Sequence, residues 1–233
     1  MKKYSHQVDI VIADGGSTDG STEHDKLKSL LVNTLLIKTG PGKLGSQMRM
    51  AFAWAIERGY SGVIVIDGNG KDGVDAIPKF VEALENGYDH VQGSRFIKGG
   101  IHENTPLLRL LGLKLLHAPM ISCASGFKYT DTTNGFRAYS YRLLCNENIA
   151  LFRDIFTGYE LHYYLAIESV KHCLKVKEIP VSRCYPASGK LVSKISPIRG
   201  NINVLKKLLA SCFGFYKLNF RVNHFLAVST FHV

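Results

Sequence analysis

The stretch that decides the fold class runs from Val63 to Gly73 and reads Val-Ile-Val-Ile-Asp-Gly-Asn-Gly-Lys-Asp-Gly. Four consecutive β-branched residues are typical of a buried strand, and the glycine-rich polar run after them indicates a loop at its carboxyl end. In open α/β sheets, ligands bind beyond the carboxyl ends of the strands. Asp67 and Asn69 offer the oxygen ligands that Mg²⁺ or Mn²⁺ prefers, and Asp72 is a third candidate. The alternative interpretation is a polar loop whose glycines serve only the turn.

The rest of the first hundred residues alternates strand and helix patterns. Short apolar runs rich in β-branched residues lie at 8–13, 34–39, 62–67 and 90–92, and helical periodicity lies at 44–56 and 77–84. Asp75 is the expected N-cap of the second of these helices. The alternation predicts an α/β fold with a mostly parallel sheet flanked by helices.

From about residue 101 the pattern becomes irregular and mostly helical. Helices are expected within 100–127, 158–171 and 202–213, and strands at 135–139 and 174–181. The sequence contains no internal repeat and no low-complexity linker. We therefore expect one domain over residues 1–217, with a regular half of about 1–100, an irregular half of about 101–217, and a tail at 218–233.

Further polar clusters follow other predicted strands. The run 8–13 leads into Asp14-Gly15-Gly16-Ser17-Thr18-Asp19-Gly20, which can present backbone N–H groups and two carboxylates to a ligand, or can be an ordinary βα turn. Gly93-Ser94-Arg95 and the segment from Asp131 to Arg137 place an arginine near a strand end, where its forked guanidinium suits a phosphate. Each arginine alone is more often part of a surface salt bridge.

The basic charge is concentrated at the carboxyl-terminal end. The formal net charge is +10, and residues 179–233 contain eight Lys and Arg but no Asp or Glu. Such a segment suits nucleic acid, a phosphate-bearing substrate or an anionic membrane surface. The apolar stripe of helix 202–213, flanked by Lys206 and Lys207, is a candidate for membrane contact, the alternative being that it packs on the sheet. A nucleic-acid partner is not expected, because no reader motif or aromatic-basic interleaving is present.

The ends and the longest apolar run bear on localisation. Residues 1–9 are polar and lack the apolar core of a secretory signal, which favours a cytoplasmic protein that is at most peripheral on the inner face of the membrane. The run 107–127 contains Arg109, Lys114, His117 and Pro119, so we do not expect it to span a bilayer. It is a candidate to lie in an interface or to line an acceptor groove.

Taken in order, these motifs resemble family 2 glycosyltransferases of the GT-A fold, and within them the dolichol- and polyprenyl-phosphate sugar transferases. The resemblance covers about residues 8–213. It rests on six segments in the family's order: the Asp14 turn, Asp67-Gly68-Asn69, Gly93-Ser94-Arg95, Thr133-Asn134-Gly135-Phe136-Arg137, Tyr159-Glu160-Leu161, and the carboxyl-terminal Ile179-Pro180-Val181 with Arg183 and Ser193-Lys194.

The resemblance implies a GT-A, Rossmann-like fold with a donor half at about 1–100 and an acceptor half at about 101–217. It implies transfer of a sugar from a UDP or GDP sugar to a polyprenyl phosphate or a glycan, with inversion, in cell-surface polysaccharide or glycolipid biosynthesis. A hydroxyl acceptor would need a carboxylate base, for which Asp131 and Glu160 are candidates, whereas a lipid phosphate would need none. Mg²⁺ or Mn²⁺ at Asp67, Asn69 and Asp72 would neutralise the leaving diphosphate. The implied nucleotide and diphosphate contacts are Asp14, Gly16, Ser17, Asp19, Lys43, Asp67, Lys71, Arg95, Arg137, Arg183 and Lys194.

Two departures from the family pattern qualify this expectation. The metal motif has Asn69 in place of an acid and is followed by Lys71, which predicts weaker metal binding or partial replacement of the metal by the lysine. The family also begins with a strand before the acidic turn, whereas only seven residues precede Val8. A central sheet position is therefore expected to be unfilled, and a truncated or inactive nucleotide-sugar-binding homologue is the alternative function.

Overall fold

The structure is a computed structural model that describes residues 2–4, 6–186 and 199–218. Its strands are β1 Val11–Asp14, β2 Thr34–Ile37, β3 Gly62–Val65, β4 His90–Ser94, β5 Ile101–Glu103, β6 Arg137–Ser140, β7 Val176–Pro180 and β8 Ser182–Cys184. Its α-helices are α1 His24–Ser29, α2 Leu44–Glu57, α3 Ile77–Glu85, α4 Leu107–Gly112, α5 Ala118–Ser125, α6 Tyr141–Leu144, α7 Glu160–Lys171 and α8 Arg199–Cys212. Lys194 and nearly all of the tail lie outside the described residues.

The strands form a four-stranded sheet and two strand pairs. The order in the larger sheet is β3-β6-β4-β7, with β6 antiparallel to both neighbours and β7 parallel to β4. The pairs β1-β2 and β5-β8 are parallel. The expected α/β class is confirmed, but the central sheet is mixed because β6 enters it in reverse. Within the described part of the chain, β1-β2 is not hydrogen-bonded to the larger sheet, although α2 contacts both β1 and β3.

Apolar side chains cover both faces of the larger sheet. On one face, Phe52 of α2 meets Tyr139 of β6 edge to face, with ring centroids 5.3 Å apart. On the other face, Phe80 of α3 stacks on Phe136 at 4.3 Å. Both phenylalanines of these helices are fully buried, and each contributes about 1.5–3 kcal/mol through burial. The apolar faces of α2 and α3, which the sequence periodicity predicted, therefore pack on the two faces of the larger sheet.

The expected N-cap of α3 is wrong. A 3₁₀ turn, Val74–Ala76, precedes α3. The N-cap residue of α3 is Ala76, which has no side chain that could cap the helix. The Asp75 carboxylate instead accepts hydrogen bonds from the Tyr4 hydroxyl at 2.9 Å and from the Lys3 ammonium at 3.2 Å. Asp75 therefore binds the N-terminal 3₁₀ turn, Lys2–Tyr4, instead of capping α3.

The helix formed by α4 and α5 is continuous. A π turn, Leu113–His117, joins them, since Pro119 has no N–H to donate to the preceding turn. Among the described residues, Leu107–Ser125 is one helix long and apolar enough to cross a membrane by length and composition. The polar residues that the sequence offered as interruptions do not break it. One face, however, is buried against the protein through Leu113, Ala118, Ile121 and Ser125.

Two buried histidines make stability depend on pH. Burial in the sheet lowers the pKa of His90 to about 3, and burial also lowers the pKa of His162 well below 6.5. Both rings are neutral in the folded protein and protonate in the unfolded chain as the pH falls below about 6.5.

We expect the free energy of unfolding to be maximal above pH 6.5 and to fall by about 1.4 kcal/mol per pH unit for each histidine below it. Urea unfolding at pH 7.5, 6.0 and 5.0 measures this. His90→Phe, which suits the stacking on Tyr139, should flatten the slope, and an unchanged slope would contradict the assignment.

Candidate active site

The site lies where the larger sheet ends in loops. Asp67 follows β3, Arg95 follows β4, and Asp131 lies in the loop that leads into β6. Because β6 is antiparallel to β3 and β4, its start meets their carboxyl ends at one edge. A Cβ atom on Gly135 would lie only 2.5 Å from Oδ1 of Asp67, which shows how closely these loops approach. The structure therefore brings together motifs that the sequence separates by more than sixty residues.

Arg183 bridges the acids that follow β3. Its Nη1 donates to both oxygens of Asp72 at 2.8 and 2.6 Å, and its Nη2 donates to Oδ2 of Asp67 at 3.2 Å. Burial acts to lower the pKa of Arg183, but the two carboxylates raise it above its ordinary value, so the guanidinium stays charged. The loop is also tied to β8, because the Gly73 amide donates to the Ser182 carbonyl at 3.0 Å.

The oxygens available here do not fit the expected metal site. The Asp72 side chain has no exposed surface and both of its oxygens are bonded to Arg183. Oδ1 of Asn69 accepts the Lys71 amide at 3.2 Å, and its Nδ2 lies 3.4 Å from Oδ2 of Asp67. Only Oδ1 of Asp67 makes no hydrogen bond among the described residues. A divalent ion that takes six or more oxygen ligands would find one uncommitted carboxylate oxygen.

Three cations surround the ring of Tyr185. The Lys71 ammonium lies 5.1 Å from the ring centroid, and the guanidinium carbons of Arg109 and Arg183 lie 5.8 Å from it. Tyr185 is buried, and such contacts orient a cation over an aromatic face. Sequence reasoning missed Tyr185, for which no local signal exists. Arg109 carried a signal, since it is an isolated charge in an apolar run.

Asp131 is not free to act as a base. It is fully buried and forms a bidentate ion pair with Arg95, with Nε to Oδ2 at 2.6 Å and Nη2 to Oδ1 at 2.9 Å. The same loop is held by Glu178, which sequence reasoning missed and whose Oε1 accepts the Thr130 and Asp131 amides at 2.9 and 3.0 Å. Arg95 was expected to contact a phosphate, but its guanidinium is bonded to Asp131 and positions this loop.

Glu160 is likewise engaged. It opens α7, is buried, and accepts hydrogen bonds from the Thr157 and Gly158 amides and from the Lys207 ammonium. Burial acts to raise the pKa of Glu160, but these donors hold it below its ordinary value. A carboxylate that is hard to protonate is a poor proton acceptor. Lys207 therefore faces the protein, which corrects the expectation that it faces lipid.

The Arg137 side chain is not exposed at the candidate site. It is almost completely buried, and its guanidinium donates to the carbonyls of Asn134, His162 and Thr132 at 3.0, 3.0 and 2.7 Å. The expected diphosphate contact is therefore a structural tie between the loop before β6 and α7. Lys43 is exposed at the start of α2, and its amide donates to the Thr157 carbonyl at 2.7 Å.

The Asp14 turn is an exposed, self-bonded loop at the end of β1. The Asp14 carboxylate accepts the Gly16 and Ser17 amides at 2.6 and 2.7 Å and the Ser17 hydroxyl at 2.6 Å, which lowers its pKa. Gly16 has a φ of +91°, which favours glycine. Asp19 accepts hydrogen bonds from Ser21, and these lower its pKa as well. The turn thus holds ionised carboxylates at an open edge.

Comparisons with known proteins identify relatives by sequence. No protein-family model matches the chain. The chain is 29% identical over 193 residues to a polyprenol monophosphomannose synthase of Mycolicibacterium smegmatis, covering 82% of this chain and 71% of that protein. It is 26% identical over 184 residues to an undecaprenyl-phosphate mannosyltransferase of Micrococcus luteus, covering 75% and 71%.

A solved structure shares the fold. Glucosyl-3-phosphoglycerate synthase from Mycobacterium tuberculosis, in complex with Mn²⁺, UDP and glucosyl-3-phosphoglycerate, superposes with a TM-score of 0.58 at 16% identity, over 88% of this chain and 69% of that one. The chain is thus similar in sequence to polyprenyl-phosphate mannosyltransferases, and its fold is that of the GT-A glycosyltransferases.

Proposed function

We propose that the chain transfers a sugar from a nucleoside diphosphate sugar to a polyprenyl phosphate, in the synthesis of a cell-surface polysaccharide or glycolipid. One observation carries the choice of acceptor: both carboxylates expected to serve as a base, Asp131 and Glu160, are buried in ion pairs. A hydroxyl acceptor must lose its proton to a base, whereas a phosphate is already anionic and attacks without one. The names of the relatives in Mycolicibacterium smegmatis and Micrococcus luteus support the same acceptor class.

The reaction then needs positioning and positive charge more than proton transfer. An oxygen of the acceptor phosphate forms a bond to the anomeric carbon while the bond from that carbon to the diphosphate oxygen breaks. The nucleoside diphosphate leaves with the electron pair, and a single displacement inverts the anomeric centre. Cations beside the departing diphosphate stabilise the charge that develops on it. Arg183, Lys71 and Arg109, which lie around the Tyr185 ring, are the proposed cations.

The experiment supplies the purified chain with UDP or GDP sugars and a polyprenyl phosphate, and follows label into the organic phase. We expect transfer from one donor and a large loss in Asp14→Ala, because that turn is the proposed contact for the nucleotide base. Asp25→Ala, an exposed acid in α1, is the matched control and should leave transfer unchanged. Binding of a nucleotide without transfer from any donor would contradict the proposed reaction.

The second candidate is a nucleotide-sugar-binding homologue without transferase activity. The separation of β1-β2 from the larger sheet favours it, because the Asp14 turn belongs to the strand pair and Asp67 to the larger sheet. The same assay decides between them, since this candidate binds the nucleotide and forms no glycolipid.

The motif resemblance implies Mg²⁺ or Mn²⁺ at Asp67 and Asn69, and the solved structure with Mn²⁺ and UDP supports divalent metal use in the fold, but the oxygens of this site do not fit such an ion. Asp72 is better assigned to holding Arg183 than to the metal.

We assign membrane contact to a surface of α4 and the π turn formed by Leu107, Leu108, Leu111, Leu115 and Leu116, with Arg109 and Lys114 beside it. Leu108 is 85% exposed and Leu115 73% exposed. No acid occurs from 104 to 130, which suits anionic head groups. The middle of the α8 stripe packs inward, with Leu208 fully buried, whereas Ile202 and Phe213 at its ends are exposed. We propose that the chain lies on the cytoplasmic face of the membrane through the α4 surface.

Substitution of the α4 leucines tests this contact. The chain is expected to co-sediment with vesicles that contain phosphatidylglycerol. Leu108→Glu with Leu115→Glu should weaken this binding by about tenfold or more, since each buried leucine contributes about 1.5–3 kcal/mol. Leu30→Glu alters another exposed leucine and is the control. Equal sedimentation of the double variant and the unaltered chain would exclude this surface.

A further inference from the structure

The loop after β3 is arranged as an ion-pair network in which cations already face the acids. Asp67 and Asp72 share the guanidinium of Arg183, and Asn69 is neutral where a second metal-binding acid is expected. The Asn69 oxygen that could bind an ion accepts the Lys71 amide instead. Most oxygens of this loop that could bind a divalent ion therefore already accept hydrogen bonds from the protein.

Lys71 and Arg183 are held beside each other despite their like charge. Both contact the Tyr185 ring, and the Cys184 amide donates to the Lys71 carbonyl at 2.9 Å, which ties the lysine backbone to β8. Asp72 compensates Arg183 from the buried side. Lys71 has no carboxylate within ion-pair distance among the described residues, so its charge is available to an anionic ligand.

Resting on the proposed function, we propose that Lys71 and Arg183 neutralise the diphosphate of the nucleotide donor in place of a divalent metal ion. Lys71 supplies a positive charge that pairs with no carboxylate of the described residues, and Arg183, whose charge is shared with Asp67 and Asp72, adds hydrogen-bond donors that a metal lacks. Arginine and lysine both bind phosphates in proteins. Donor binding in this chain is therefore independent of divalent metal.

Calorimetry of the full chain with UDP, GDP, CDP and dTDP, in EDTA and in Mn²⁺, tests this. We expect one nucleotide to bind with the same Kd in both media. Lys71→Ala should raise that Kd by about tenfold or more, since it removes a charged hydrogen-bond donor to the diphosphate. Lys79→Ala, an exposed lysine on α3, is the matched control and should have no effect.

A reversal variant sharpens the test. Asn69→Asp combined with Lys71→Ala restores a second acid and removes the lysine, so its nucleotide binding should become stronger in Mn²⁺ than in EDTA. Binding by the unaltered chain that requires Mn²⁺ would overturn the proposal and leave the proposed function standing. Binding of none of the four nucleotides in either medium would overturn both. Metal-independent binding without sugar transfer would sustain this proposal while contradicting the proposed reaction.

Discussion

Asp131→Ala is expected to destabilise the protein by about 3–5 kcal/mol, because removing one partner of a buried ion pair leaves the other charge unpaired. Arg95 and Asp131 each have at most 2% of their side chain exposed, and the pair is bidentate. Such a loss is a large part of the about 5–15 kcal/mol that stabilises a typical domain. Urea unfolding followed by circular dichroism measures it.

A double variant separates a structural role from a catalytic one. Arg95→Met combined with Asp131→Leu removes both charges and should recover much of the stability lost in Asp131→Ala. Asp131→Ala that unfolds at the same urea concentration as the unaltered chain but transfers no sugar would contradict the structural assignment and return Asp131 to the role of base.

Arg137→Ala is expected to have a comparable effect. The substitution leaves a cavity and removes the donor to three backbone carbonyls, those of Thr132, Asn134 and His162. Each buried polar group left without a partner costs about 1–3 kcal/mol. Arg137→Lys should also destabilise the protein, because a compact ammonium cannot match the planar geometry of a guanidinium.

The control for Arg137 is Arg58→Ala. Arg58 is half exposed, lies 3.7 Å from Glu57 and packs over Trp54, so its loss should change stability by no more than about 0.5 kcal/mol. An Arg137→Ala variant as stable as Arg58→Ala, with a raised Kd for the nucleotide, would show that Arg137 contacts the diphosphate after all.

The strand-loop units of the first half were predictable from the sequence because their signals are local. The β-branched run before Asp67 and the periodicity of α2 and α3 each require only neighbouring residues. The reversed direction of β6 was not predictable, because periodicity carries no information on strand direction. The same limit applies to Asp75, whose N-cap role was lost to a hydrogen bond with the distant Tyr4.

The candidate site was predicted by position but not by role. The sequence placed Asp67, Arg95, Asp131 and Arg183 near one another, and the structure brings them together. The sequence could not show that Arg95 forms an ion pair with Asp131. The two residues are 36 positions apart, and burial in the fold decides which charges are paired. The ring of Tyr185 contacts three cations, and no local sequence pattern indicates this. The contacts form only when the loop after β3 and α4 come together in the fold.

Two acceptors that differ only in the phosphate distinguish transfer to a lipid phosphate from transfer that needs a base. The chain, with its preferred donor, is given a polyprenyl phosphate or the corresponding polyprenol at equal concentration in the same vesicles. We predict transfer to the phosphate and none above background to the alcohol, because Asp131 and Glu160 are held in ion pairs and are not available to take the hydroxyl proton. Equal transfer to polyprenol would contradict it and would require a base elsewhere in the chain.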